Sequence, residues 1–129
     1  MTDQHVTLFE MAPRDGLQNE KTMIATADKV ALIDRLSACG FSKIEATSFV
    51  PPKWVPQMAD AENVMGGIRR VEGVSYAVLT PNMRGFETAI AAGADEVAIF
   101  ASASEGFSKA NLNATISVSY THLTLPTNA

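Results

Sequence analysis

From residue 6 to residue 102 the chain switches repeatedly between short runs rich in β-formers and longer stretches with apolar residues at helical spacing, with proline or glycine at most of the switches. This alternation marks a parallel α/β architecture, because successive parallel strands need a crossover and a helix is the usual one. Four βα units can be laid out. The first strand, residues 6–11, closes at Pro13, which has no N–H to give a ladder, and a loop over residues 14–25 follows. A helix is predicted from Thr26, a candidate N-cap, with Asp28 in its first turn and Val30, Leu32, Ile33 and Leu36 on its apolar side, ending at Gly40.

The second strand, residues 43–49, runs into Pro51-Pro52, and a helix is expected over residues 60–70 with Val64, Met65 and Ile68 buried. The third strand, residues 75–79, closes at Pro81. The helix after it, residues 83–92, carries Phe86, Ala89 and Ile90 at buried spacing and stops at Gly93. The fourth strand, residues 96–101, is apolar beyond its first residue, as a strand covered on both faces would be. The stretch ACGFSKIE at residues 38–45 echoes AAGADEVA at residues 91–98, the same helix end, glycine and strand start. Repeated units of this kind build a (β/α) barrel.

A complete barrel takes about 250 residues, so the expected fold is α/β, the N-terminal half of a (β/α)8 TIM barrel, truncated after about four units. An open doubly wound sheet competes with it. Residues 13–16, Pro-Arg-Asp-Gly, hold one glycine only, which argues against a dinucleotide-binding turn after the first strand. The barrel piece is expected over residues 6–116. Residues 117–129 change character: they carry no charge, repeat threonine at 121, 124 and 127, and resemble translated adapter sequence, so they read as an unrelated, artefactual tail whose His122 is no ligand.

Composition excludes several classes of function. A net charge of −4 with no basic cluster longer than Arg69-Arg70 gives no attraction to phosphate backbones, so no nucleic-acid partner is expected. No apolar run nears the roughly 20 residues of a membrane helix, and no membrane partner is expected. The single cysteine, Cys39, sits at a helix end where the dipole disfavours a thiolate, and it reads as structural. With no internal disulfide possible and with a polar start bearing Asp3, neither a secretion signal nor a transit peptide is apparent, and a reducing cytoplasm is expected.

The chemistry-bearing residues cluster after strands. Arg14 and Asp15, with Gln18, Asn19 and Glu20 beyond them, follow the first strand, on the catalytic face if the fold is a barrel. A guanidinium fork suits carboxylate or enolate oxygens, and a carboxylate suits a divalent cation. An isolated Arg-Asp-Gly is also an ordinary turn. Glu45 interrupts an apolar strand. Burying a lone carboxylate costs on the order of several kcal/mol, so it either faces water at an edge or pairs with Arg14. The loop Pro51-Pro52-Lys53-Trp54-Val55-Pro56 is stiff and carries a large flat ring, suited to docking a ligand or subunit and equally to covering the core. Ser102, Ser104 and Glu105 would follow the fourth strand, as hydrogen-bonding groups or as a cap for a helix near residues 109–111. His5 precedes the first strand and points away from any such site.

Three stretches, FEMAPRDGLQNEK, LIDRLSACGFSKIEATSFVPPKWVPQMAD and YAVLTPNMRGFETAIAAGADEVAIFASASEGFSKANLN, stand in order and at the right spacing to resemble the hydroxymethylglutaryl-coenzyme A lyase family over about residues 6–116. The resemblance implies cleavage of 3-hydroxy-3-methylglutaryl-coenzyme A to acetoacetate and acetyl-coenzyme A with Mg²⁺ or Mn²⁺, a step of leucine breakdown. It implies that Asp15 is the metal ligand and that Arg14 binds substrate and stabilises the enolate of a retro-Claisen cleavage. It further implies that Glu45 holds Arg14, that Gln18 and Ser48 line the substrate pocket, and that the parent enzyme is a homo-oligomer acting on an acyl-CoA thioester. The family's His-x-His pair, its asparagine ligand and its catalytic cysteine have no counterpart in this sequence, so the chain alone is expected to be inactive. A related Claisen-type acyltransferase, such as isopropylmalate or homocitrate synthase, shares the Arg-Asp-Gly strand end, although Leu17-Gln18-Asn19-Glu20 and the SFVPPKWVPQMAD loop favour the lyase. A non-catalytic half-barrel with open edges is the alternative from another class.

Overall fold

The computed structural model describes residues 3–100. Four parallel strands form one sheet: β1 (Phe9–Glu10), β2 (Lys43–Ser48), β3 (Ser75–Leu79) and β4 (Glu96–Ala98). Helices α1 (Thr26–Ser37), α2 (Ala61–Gly67) and α3 (Met83–Ala91) connect them. The spatial order is β1-β2-β3-β4, each strand beside its predecessor. A doubly wound sheet reverses its strand order at a switch point, whereas a barrel adds strands in sequence, so this order is the opening run of a (β/α) barrel. Among the described residues no helix is long and apolar enough to cross a membrane.

The core lies between β2, β3 and the helices, with Ile33, Ile44, Val64, Met65, Tyr76, Val78 and Ala89 buried. Every residue from Ile44 to Phe49 is buried. The register of β2 against β3 shifts between Glu45 and Thr47, so strict alternation does not sort that strand's faces. Gly40 and Gly93 both adopt positive φ, 91° and 78°, after α1 and α3, which is the shared physical basis of the repeated helix-end sequence.

Several elements differ from expectation. Only Phe9 and Glu10 of the first strand meet β2, and Val6 and Leu8 are exposed. Beyond them the Met11 carbonyl already accepts the N–H groups of Arg14 and Asp15, starting a helical turn at Ala12–Gly16 where a loop was expected. Pro13 sits at the start of that turn, where a missing N–H costs nothing. Thr26 does not cap α1. Ala25 holds that position, and the Thr26 hydroxyl donates instead to Asp60, 2.6 Å away. The buried side of α1 is Lys29, Ile33 and Ser37, with Val30 and Leu36 packed beside it. Ile90 is 56% exposed, because α3 turns Ala89 inward. β4 is half-buried where full burial was expected, and it pairs with β3 among the described residues. Ser102, Ser104, Glu105, the helix near residues 109–111 and the tail with His122 lie outside the described residues.

Candidate active site at the strand ends

The turn Ala12–Gly16 places Arg14 over the end of β1 and beside β2. Glu10 fixes the start of that turn by accepting the N–H of Ala12 at 2.9 Å. The guanidinium of Arg14, 13% exposed, pairs through Nε with the carboxylate of Glu45, which is 1% exposed. Its Nη1 donates to Asp15 at 3.3 Å and to Gln18 at 3.4 Å. Glu45 is therefore the buried partner of Arg14 and not a residue facing water. With Nε engaged by a buried carboxylate, the fork is held in one orientation while Asp15, 64% exposed, stays open to solvent.

The structure brings Arg14, Asp15, Gln18 and Glu45 together. Ser48 stands apart. It is fully buried at the end of β2, its hydroxyl donates to the Leu79 carbonyl at 3.3 Å, and it borders a separate cleft with Pro52, Asp60 and Asn82. Among the described residues no three His, Cys, Asp or Glu side chains cluster closely enough to hold a metal ion. One carboxylate does not retain Mg²⁺ or Mn²⁺.

A second polar network was missed in the sequence. Gln57, nearly fully buried, donates to the carbonyls of Glu20 and Thr22 at 3.0 and 2.9 Å and accepts the N–H of Ile24 at 2.9 Å. Its own carbonyl accepts from the ammonium of Lys29, which also meets Asp60 at 2.7 Å. Burial opposes the charge on Asp60, but hydrogen bonds from Lys29 and Thr26, with the charge of Lys29, outweigh it and hold the carboxyl below the usual range. This network ties the segment after β1 to the loop after β2, the two walls that flank Arg14. The available signal was a lysine and a serine in register with Ile33 on α1, a polar stripe where core was expected.

Known proteins resemble the chain over nearly all of it. It is 59% identical over 113 residues to the chicken (Gallus gallus) protein named hydroxymethylglutaryl-CoA lyase, mitochondrial, covering 88% of this chain and 38% of that protein. The crystal structure of the HMG-CoA lyase from Brucella melitensis superposes with a TM-score of 0.89 at 65% identity, over 94% of this chain and 43% of that one. An HMG-CoA lyase from Acinetobacter baumannii, solved in complex with coenzyme A and 3-methylmalate, matches with a TM-score of 0.88 at 42% identity, over 91% of this chain and 38% of that one. The chain thus spans about two fifths of the length of these relatives. The expectation of a cytoplasmic location is corrected here: the chicken relative is named a mitochondrial enzyme, and the polar start that carried the expectation does not assign a compartment. With the HMGL-like family model matching residues 5–124, the chain belongs to the HMGL-like family.

Proposed function

We propose that this chain supplies one wall of the active site of a hydroxymethylglutaryl-CoA lyase, a carbon–carbon lyase that cleaves 3-hydroxy-3-methylglutaryl-CoA to acetoacetate and acetyl-CoA. The observation that carries the reading is the Arg14–Glu45 pair at the strand ends, a fixed cation aimed at the catalytic face. In a retro-Claisen cleavage a base removes the proton of the tertiary hydroxyl, the carbon–carbon bond breaks, and its electron pair becomes the enolate of acetyl-CoA. Arg14 would stabilise that enolate oxygen. Because Glu45 already orients it, little reorganisation is needed as charge develops. Gln18, hydrogen-bonded to Arg14, would contact the acyl portion.

Asp15 would be one ligand of a divalent cation, Mg²⁺ or Mn²⁺. The described residues do not complete such a site, so the 129-residue chain alone should not turn over. The test is a chimera in which residues 6–116 replace the corresponding segment of the Brucella melitensis enzyme. A folded chimera should release acetyl-CoA from hydroxymethylglutaryl-CoA, and its Arg14→Gln version should lose at least about a hundredfold in kcat, the scale of removing one oxyanion-stabilising group. A folded chimera that leaves the thioester intact, or one indifferent to Arg14→Gln, would refute the reading.

A further inference from the structure

The guanidinium of Arg14 is gripped from the sheet by Glu45 at Nε, and a planar fork held at one nitrogen can still swing about that contact. Its second hold is at Nη1. There Asp15 is 64% exposed and is the proposed metal ligand, which leaves the amide oxygen of Gln18, at 3.4 Å, as the anchor. Gln18 lies where the helical turn after β1 runs out, and Asn19 to Met23 beyond it are all exposed. These residues bury little apolar surface that could fix them. One side chain fixes them instead. Gln57, 4% exposed, donates to the Glu20 and Thr22 carbonyls at 3.0 and 2.9 Å and accepts the Ile24 N–H at 2.9 Å. Residues 20, 22 and 24 present these groups at the alternate spacing of a strand, so a single amide stands in for a partner strand. The Glu20 N–H donates to the Leu17 carbonyl at 3.0 Å, which carries the anchorage back to the turn holding Gln18. On its other side Gln57 is fixed through its main-chain carbonyl by the ammonium of Lys29, itself 2.7 Å from Asp60.

We infer that Gln57 is a positioning residue for the proposed cleavage: by anchoring the turn at residues 17–20 it fixes Gln18, and through Gln18 the plane of the Arg14 guanidinium. Glu45 sets where the guanidinium sits, and Gln57 sets which way it faces. A donor that stabilises an oxyanion must meet the oxygen at a set distance and angle, and a misplacement of about 1 Å costs up to about a hundredfold in rate. This role rests on the proposed stabilisation of the enolate by Arg14 and adds a residue that acts on it through Gln18.

In the chimera carrying residues 6–116, Gln57→Met keeps the length of the side chain and removes its amide. It should lower kcat about tenfold or more while KM changes by less than about threefold, the pattern of a contact felt in the transition state. Gln18→Ala should lose a comparable factor. The double variant should lose no more than about twofold beyond the larger single loss, because both changes break one chain of contacts. A merely structural Gln57 would lower the urea midpoint and leave kcat of the folded enzyme unchanged, or add its loss in full to that of Gln18→Ala, and either result would overturn the role. In the 129-residue protein, where no turnover is required, nitrogen NMR follows rotation of the Arg14 guanidinium about its Nε–Cζ bond. Gln57→Met should speed that rotation about tenfold, the scale of one hydrogen bond lost. If Gln57→Met does not fold, Gln57→Glu, which keeps an acceptor for Ile24 and gives up the amide donors, is read in its place. Unchanged rotation would overturn the role whatever the chimera does. An inactive chimera beside a rotation that responds to Gln57 removes only the proposed reaction.

Discussion

The two ends of the sheet carry ion pairs of similar chemistry in opposite settings. At the outgoing end, Glu45 is 1% exposed against an Arg14 that is 13% exposed, and Lys29 is 4% exposed against Asp60. At the incoming end, Lys43 and Glu96, the first residues of β2 and β4, pair at 2.9 Å while 33% and 42% exposed. Water reaches both partners of the second pair, but at the outgoing end it barely reaches Glu45 or Lys29 and reaches Asp60 only in part. Removing one partner from a buried pair strands a charge, whereas removing one from an exposed pair leaves it solvated. The end of the sheet proposed to carry the chemistry is thus also the end where single substitutions should be costly.

The largest effect is expected at Arg14. Arg14→Gln leaves the Glu45 carboxylate buried without its cation and should lower unfolding stability by about 3–5 kcal/mol in urea denaturation. The double change Arg14→Met, Glu45→Leu removes both charges and should recover most of that loss. If Arg14→Gln costs no more than a change at Lys43, the contrast between the ends is not one of burial and fails.

Asp60 comes next, being partly exposed where Glu45 is not. Its folded pKa is depressed, with burial the largest influence but opposed and outweighed by the Lys29 and Thr26 hydrogen bonds and the charge of Lys29. A depressed carboxylate contributes stability that is complete above its unfolded value, about 3.9, and is lost as pH falls through the lower folded value. Asp60→Asn should cost about 2–3 kcal/mol at neutral pH, since Lys29 keeps its charge while retaining only the Gln57 carbonyl. It should also flatten the acid limb of stability between pH 4 and lower values, measured as urea midpoints across pH. An unchanged acid limb would show that Lys29 and Asp60 do not act as a pair.

Sequence patterning read the fold well where the determinants are local. β3 falls on its expected residues, and the glycines ending α1 and α3 sit where the helix-end echo places them. It failed where a neighbour decides. The first strand is rich in β-formers over six residues but has one partner strand among the described residues, and the Met11 carbonyl turns the chain away. Thr26 has the chemistry of an N-cap, yet Asp60, distant in sequence, takes its hydroxyl. The Arg14–Glu45 pairing was legible because a carboxylate inside an apolar strand demands a cation and one followed the adjacent strand. The Gln57 network was not, because glutamine in a loop carries no signal until the three backbone groups it satisfies are in place.

The smallest effect belongs to the incoming end and sets the baseline for the others. Glu96 is held below the ordinary carboxylate range first by the Ser75 hydroxyl, then by the ammonium of Lys43. Lys43 also lies 5.0 Å from the centre of the Phe9 ring, so its removal loses an ion pair and a cation–π contact together. Both are exposed to water and salt, and Ser75 remains to hold Glu96 when Lys43 is gone. Lys43→Ala should therefore cost less than about 1 kcal/mol, and the difference from wild type should shrink further as salt is raised toward molar concentration. A loss that matches Asp60→Asn, or one insensitive to salt, would mean that the Phe9–Lys43–Glu96 row is held as firmly as the buried pairs, and that β1, with its two paired residues, depends on it for its place in the sheet.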